Sequence, residues 1–170
     1  PEIREEQTGR LLADLASGRV DVAVLAVPTG AVGLSEVPLY DEDFVLVVPP
    51  GHPLGGATGL PRTALRGQDL LLLDDGHCLR DQALDLCRSA RAMGSVSSAA
   101  RASSLGTVVQ LVAAGLGVTL LPATALAAET RRAPLAVARF AGPAPGRRIG
   151  LVHRASSARA PAYQTLAGVL

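Results

Sequence analysis

The strongest constraint on this chain is a recurring alternation of short, unbroken apolar runs with longer stretches whose apolar residues recur at helical spacing. Val22–Val27, Phe44–Val48, Leu70–Leu73 and Val118–Leu121 are each too short for a core helix, and Thr119 is the single polar residue among them. Runs of that kind fit strands buried on both faces. Hydrophobic residues make up 48% of the chain and aromatics only 2%, so Ala, Leu and Val must build the interior. That composition suits a layered α/β protein better than a β-sandwich.

The intervening stretches complete the pattern. Leu11, Leu12 and Leu15 share one face of a helix over about residues 5–17, with Gly18 at the C′ position. Gly51 to Gly59 reads as a loop, and Pro61 starts a short helix that ends near Gly67. A helix from about Leu79 to Ala90 follows the Leu70–Leu73 strand and the stop at Asp74-Asp75-Gly76. Val96 to Ala100 reads as a strand, Ser103-Ser104 as the cap of a helix running to Ala114, and Gly115 as its stop. Pro122 opens another helix, Leu135–Phe140 and Ile149–Val152 are strands, and residues 160–170 suit a closing helix. The βαβα order predicts a parallel sheet covered by helices. In such folds ligands bind where strand ends meet helix N-termini.

The chain of 170 residues is long enough for one domain or two small lobes with a real core. Two lobes are expected, with residues 1–44 and 148–170 forming the first and 45–147 the second; Gly142–Gly146 is a crossing segment. The sequence starts at Pro1, and Glu2–Ile3 reads as the tail of a strand, so a piece of a longer protein is expected. No apolar run reaches the length of a membrane span, and no signal peptide opens the chain, so a soluble, cytoplasmic protein is expected. The net charge of +1, with every basic residue an Arg, gives no electrostatic footprint for nucleic acid.

The chemistry concentrates in Asp75-Gly76-His77-Cys78-Leu79-Arg80-Asp81-Gln82 and in Cys87, the second of two cysteines. Cys78 falls between a strand and a helix start, where free backbone N–H groups and the helix dipole favour an anion. A thiolate is the form of cysteine that attacks a peroxide. His77 and Arg80 are close enough in sequence to add charge or hydrogen bonds. The residues alone leave open a plainer reading, with His77 a turn residue and Arg80–Asp81 a solvated pair. Nine helical residues set Cys78 and Cys87 roughly 13 Å apart along the axis, on opposite faces. A disulfide needs Cα atoms within about 7 Å, so joining the two requires the helix to unwind at least in part. Cys87 itself, flanked by Ala83, Leu84 and Leu86, reads as a buried core thiol. Zinc would have to use both cysteines with His52 or His77, yet no C-x₂-C or H-x₃-H spacing exists, so no metal and no cofactor are expected.

Gly76-His77-Cys78-Leu79-Arg80-Asp81-Gln82 with Cys87, and Ser103-Ser104-Leu105 leading through Val112–Pro122, resemble the signature of the OxyR branch of the LysR-type transcription regulators. Glu36–Glu42, Gly51-His52-Pro53-Leu54 and Ile149–Arg154 resemble features general to LysR effector domains. The resemblance covers essentially the whole chain. It implies a two-lobed, periplasmic-binding-protein-like α/β effector domain, with the first lobe truncated at its N-terminus and the winged helix-turn-helix absent.

By the same resemblance, Cys78 is the thiol oxidised by hydrogen peroxide, first to a sulfenic acid, and Cys87 the resolving thiol that forms the disulfide. His77, Arg80 and Asp81 match residues that support the thiol or the rearranged state. Thr8 matches a threonine near the peroxide pocket; read from the sequence alone it is a first-turn helix cap. Ser103 and Ser104 match an effector-binding helix N-terminus, beside their plain role as a cap. The implied partners are hydrogen peroxide as signal, promoter DNA through the missing N-terminal part, a second or third and fourth copy of the chain as homodimer or homotetramer, and RNA polymerase. Two rivals stand beside this reading: an effector domain that binds a metabolite between its lobes, with incidental cysteines, and a thiol peroxidase with turnover. Against the enzyme, the resemblance is regulatory and no C-x-x-C is present.

Overall fold

The computed structural model describes residues 2–93, 96–131 and 133–170, with backbone only for 96–101. The chain separates into two compact units, residues 1–41 with 147–170 and residues 42–146. It crosses from one to the other along a single long strand and returns along another.

In the discontinuous unit, helix α1 (Thr8–Ser17) precedes strand β1 (Val22–Val27). Gly18 ends α1 with φ 80°, a left-handed conformation that glycine adopts without penalty, and its N–H donates to Leu15 O at 3.2 Å. Strand β1 pairs antiparallel with β7 (Gly146–Arg154), Val22 opposite His153 and Val27 opposite Arg148. The first half of β2 (Leu34–Val48) lies on the other side of β7. Leu15, Ala23, Leu25 and Val152 form this unit's core. Arg154 reaches back to α1, donating to Leu15 O at 2.6 Å and Val20 O at 2.8 Å, so a cation meets the negative end of that helix. Helix α5 (Ala160–Ala167) closes the unit, its Tyr163 ring 5.1 Å from that of His153.

In the continuous unit, the second half of β2 is central. It pairs antiparallel with β5 (Thr119–Pro122) on one side and with β6 (Ala136–Arg139) on the other. Strand β3 (Leu70–Leu73) runs parallel to β4 (Val96–Ala102) and is bridged in parallel to Val118, ahead of β5. Alternation on these strands serves two cores. Leu46, Val48, Leu70 and Leu72 face one cluster with Ala83, Leu86 and Cys87 of α2 (Cys78–Ser89). Val45, Val47, Leu71 and Leu73 face the other with Val108, Val109 and Val112 of α3 (Leu105–Ala113). Helices cover both faces, so neither set of alternate residues may be polar. That is why the runs read as unbroken.

Four expectations need correction. The pairings are mixed rather than parallel, because β2 enters from the other unit and runs against β5 and β6. Pro122 does not open a helix: it ends β5, and a single 3₁₀ turn (Ala123–Ala125) leads into the one-turn α4 (Leu126–Glu129). Glu2 and Ile3 form no strand and are exposed. Strand β2 starts ten residues before the expected Phe44, at Leu34, and the remaining strands and helices lie within a few residues of their expected places. Among the described residues, no helix is long and apolar enough to cross a membrane.

Gly117 shows how tightly the continuous unit is closed. A Cβ there would lie 2.3 Å from Asp69 O, the carbonyl that accepts from Val118 N at 2.9 Å, and 3.0 Å from Leu71 Cγ. Gly117→Ala is therefore expected to cost about 1–3 kcal/mol and to lower the thermal midpoint by several degrees. An unchanged midpoint by differential scanning calorimetry would show that the β3–β5 junction yields freely.

Candidate functional site

The site is built from the carboxyl ends of two adjacent parallel strands. Leu73 of β3 lies opposite Ala102 of β4, and Asp74 N donates to Ala102 O at 3.0 Å. From this edge, residues 74–77 turn into α2 and residues 103–104 turn into α3, and the two helices cover opposite faces of the sheet. The structure thus brings His77, Cys78, Arg80 and Asp81 to the same sheet edge as Ser103 and Ser104. Such an edge, with helix N-termini on both faces, is where α/β proteins place ligand and reaction sites.

His77 is the N-cap of α2, with extended backbone, and its side chain makes no capping bond. An N-cap of Ser, Thr, Asp or Asn would satisfy an orphan N–H of the first turn; His77 leaves that task undone. Cys78 is the first helical residue and is half-buried. Its place at the positive end of the helix dipole suits an anionic sulfur species. Asp81 is exposed in the same first turn.

Arg80 sits where a cation is unfavourable to the dipole, and Asp75 compensates it. Arg80 Nη1 donates to Asp75 Oδ1 at 2.5 Å, with the arginine side chain 12% exposed and the aspartate 79%. With one partner in solvent, the pair is worth little as stability and more as a tether between the turn and the helix. Arg80 Nε is buried and makes no hydrogen bond. In the sequence Asp75 carries no role beyond a strand stop at the head of the cysteine stretch; its partnership with Arg80, five residues on, is what the structure adds.

Cys87 lies nine residues along the same helix, fully buried beside Ala83, Leu86 and Ala90. Burial pushes its thiol above the ordinary value, since a thiolate there would lose its hydration. The helix is continuous from Cys78 to Ser89, so the two sulfurs belong to positions roughly 13 Å apart along its axis.

Ser104 caps α3, its Oγ accepting from Thr107 N at 3.2 Å and lying 2.9 Å from Thr107 Oγ1. Ser103 is exposed in the bend before it. Thr8 belongs to the other unit, where it is the first residue of α1; the N-cap is Gln7, so Thr8 is not the cap the sequence suggests. Among the described residues no group of three or more His, Cys, Asp or Glu is placed to hold a metal ion.

The LysR substrate binding domain model matches residues 1–170. The chain is 58% identical over 170 residues to a protein of Streptomyces viridosporus named probable hydrogen peroxide-inducible genes activator, covering 99% of this chain and 54% of that one. Among solved structures, it resembles a cysteine mutant of Corynebacterium glutamicum OxyR with H₂O₂ bound, at 49% identity and TM-score 0.94, covering 99% of this chain and 53% of that one. To the oxidised form of the same Corynebacterium protein the TM-score is 0.82, at 50% identity, covering 99% and 52%. The chain spans about half the length of the curated relatives it matches.

The two thiols should differ sharply towards a soluble alkylating reagent. At neutral pH in the folded, reduced protein, iodoacetamide is expected to modify Cys78 and spare Cys87, as read by peptide mass spectrometry; equal labelling would contradict the burial. The sign of the pH effect also follows. A thiol raised on folding holds its proton more tightly in the native state, so its contribution is complete below the unfolded value near 9.0 and is lost as pH climbs towards the raised one. Thermal stability should therefore fall above pH 9, and Cys87→Val should flatten that fall.

Proposed function

From the premise that this chain belongs to the LysR substrate-binding domain family, on its OxyR branch, we propose that it is the sensing domain of a hydrogen-peroxide-responsive transcription regulator. The observation that carries the proposal is the placement of the only two cysteines at the first turn and near the last turn of one intact helix, the first half-buried and the second sealed in the core.

The chemistry follows from that placement. The Cys78 thiolate attacks one oxygen of H₂O₂; the O–O bond breaks, hydroxide leaves and takes up a proton, and Cys78 becomes a sulfenic acid. Cys87 then attacks the Cys78 sulfur, expelling the sulfenic oxygen as water. In sum, two thiols and one H₂O₂ yield one disulfide and two waters. The second step cannot occur on an intact α2, because the Cα atoms must come within about 7 Å. The helix has to open, and Cys87, Leu86 and Ala83 have to leave their core cluster. Removing one leucine from such a core costs about 1.5–3 kcal/mol, which forming the disulfide has to offset. His77, Arg80 and Asp81 set the polar surroundings of the thiol, while Arg80 and Asp75 hold the turn that must move.

Cys78 and Cys87 are not bonded to each other here, so this structure corresponds to the arrangement before disulfide formation. In the whole protein, the rearranged domain would act on promoter DNA through a DNA-binding part outside these residues, within a homodimer or homotetramer and in contact with RNA polymerase. Ser103 and Ser104, at the same sheet edge as Cys78, are the proposed contacts to peroxide or another polar effector, and Thr8 belongs to the other unit.

One equivalent of H₂O₂ is expected to give a Cys78–Cys87 disulfide by non-reducing peptide mapping, together with a loss of far-ultraviolet helical signal. Cys78→Ser should abolish the response. Cys87→Ser should halt at a sulfenic acid that a dimedone probe captures. Both thiols remaining free after peroxide, or a disulfide forming with the helical signal unchanged, would refute the mechanism.

A further inference from the structure

The two ends of α2 are finished differently. Its first turn lacks a side-chain cap, whereas its last turn is closed around Cys87. Ala92 N donates to Cys87 O at 2.8 Å and Arg91 N to Arg88 O at 3.0 Å, the paired bonds that end a helix through one left-handed residue, most often glycine. Ala92, 2% exposed, lies in the same core cluster as Cys87, the apolar contact that accompanies such an ending. From outside the helix, Arg66 Nε donates to Ala90 O at 2.8 Å, so a cation sits on the negative end of α2. Arg66 follows Leu65, which is fully buried in the same cluster and fixes its backbone.

The residue that has to be left-handed is Arg91, with φ 54°; among the described residues every other positive φ belongs to a glycine. A side chain there brings Cβ against the following carbonyl, a conformation that persists only where surrounding contacts impose it. The Arg66 bond, the Cys87 carbonyl and the burial of Ala92 are those contacts. Cys87 cannot leave the core without giving up its bond to Ala92 N, and once that bond is lost Arg91 is free to relax.

We propose that this C-terminal closure is a latch on Cys87, with Arg66 and Arg91 as positioning residues of opposite effect. Arg66 holds the thiol in the core by pinning Ala90 O, and the strained backbone of Arg91 shifts the balance towards release. The latch sets the fraction of molecules in which Cys87 is free to move. That fraction governs the second step alone, the attack of Cys87 on the oxidised Cys78 sulfur, because Cys78 meets peroxide at the other end of the helix. The role in disulfide formation rests on the peroxide-sensing reading above; the opening of the latch does not.

The test reads the exposure of Cys87 first without peroxide and then with it. In a Cys78→Ser background, alkylation of Cys87 by N-ethylmaleimide, followed by mass spectrometry, reports how often the latch opens. Arg66→Met should speed it about threefold, the effect of losing a cation at a helix C-terminus, and Arg66→Lys should restore most of the protection. Arg91→Gly should slow it about fivefold, the lower end of what a left-handed side chain costs, because glycine also gains freedom in the open chain. Circular dichroism checks that each variant folds; should Arg66→Met not fold, Arg91→Gly decides alone. Unchanged labelling in Arg91→Gly, or shifts of the same sign at both positions, would overturn the latch. With both cysteines present and excess H₂O₂, disulfide formation should follow the same order of rates, in the phase that does not depend on peroxide concentration, while sulfenic acid formation at Cys78 is unchanged. Disulfide rates that ignore both substitutions would place the opening at the Cys78 end and overturn the role in the second step. A chain that forms no disulfide at all would sink the sensing reading, while the alkylation rates still decide the latch.

Discussion

The burial of Cys87 is the constraint from which the rest of the structure takes its meaning. A neutral thiol fits among Leu46, Leu70, Leu72, Leu86 and Ala90 because it behaves there as a small hydrophobe. The same packing holds α2 as a helix, since an isolated helix of twelve residues is marginal in water without a tertiary partner. Helix, core and thiol are therefore one cooperative unit. Cys78 can meet a small oxidant at the rim without disturbing it, but completing the bond demands that the whole arrangement give way.

Against this stability stand local features that favour opening. The α2 N-terminus has a histidine where a good cap would be, an arginine against the helix dipole and a buried Nε with no acceptor. Each is an unfavourable choice for a helix built only to last. Together they place the weak end of α2 at Cys78, the residue proposed to react first. The other wall of the same edge, α3, carries a conventional Ser104 cap with Thr107 and shows no comparable weakness.

Much of this was legible in the sequence. Short apolar runs identified β1, β3 and the core of β2 because both sheet faces are covered, and Gly18 and Ser104 marked helix ends through local backbone chemistry. The nine-residue cysteine spacing alone gave the geometric conflict with a disulfide. The strand directions were not legible, because an alternating order of elements does not record that β2 arrives from another unit. Nor was the first half of β2, Leu34–Asp43, whose Pro38 and acidic residues hide an extended strand. The Asp75–Arg80 pair and the Arg66–Ala90 contact depend on side-chain directions that no periodicity encodes. Thr8 was misjudged as a cap because helix boundaries shift by a residue or two without any sequence signal.

The contact from Arg154 to the carbonyls of Leu15 and Val20 has a bearing on biosynthesis. It joins residues more than 130 positions apart, whereas the unit of residues 42–146 is contiguous. As the polypeptide leaves the ribosome, the half carrying both cysteines has all its own strands available before β7 and α5 are made. Helix α1 and strand β1 must wait, with Leu15 and Leu25 uncovered, until the final segment is synthesised. The unit carrying both cysteines is thus ready to mature first, and the nascent protein's vulnerable interval falls on the other unit.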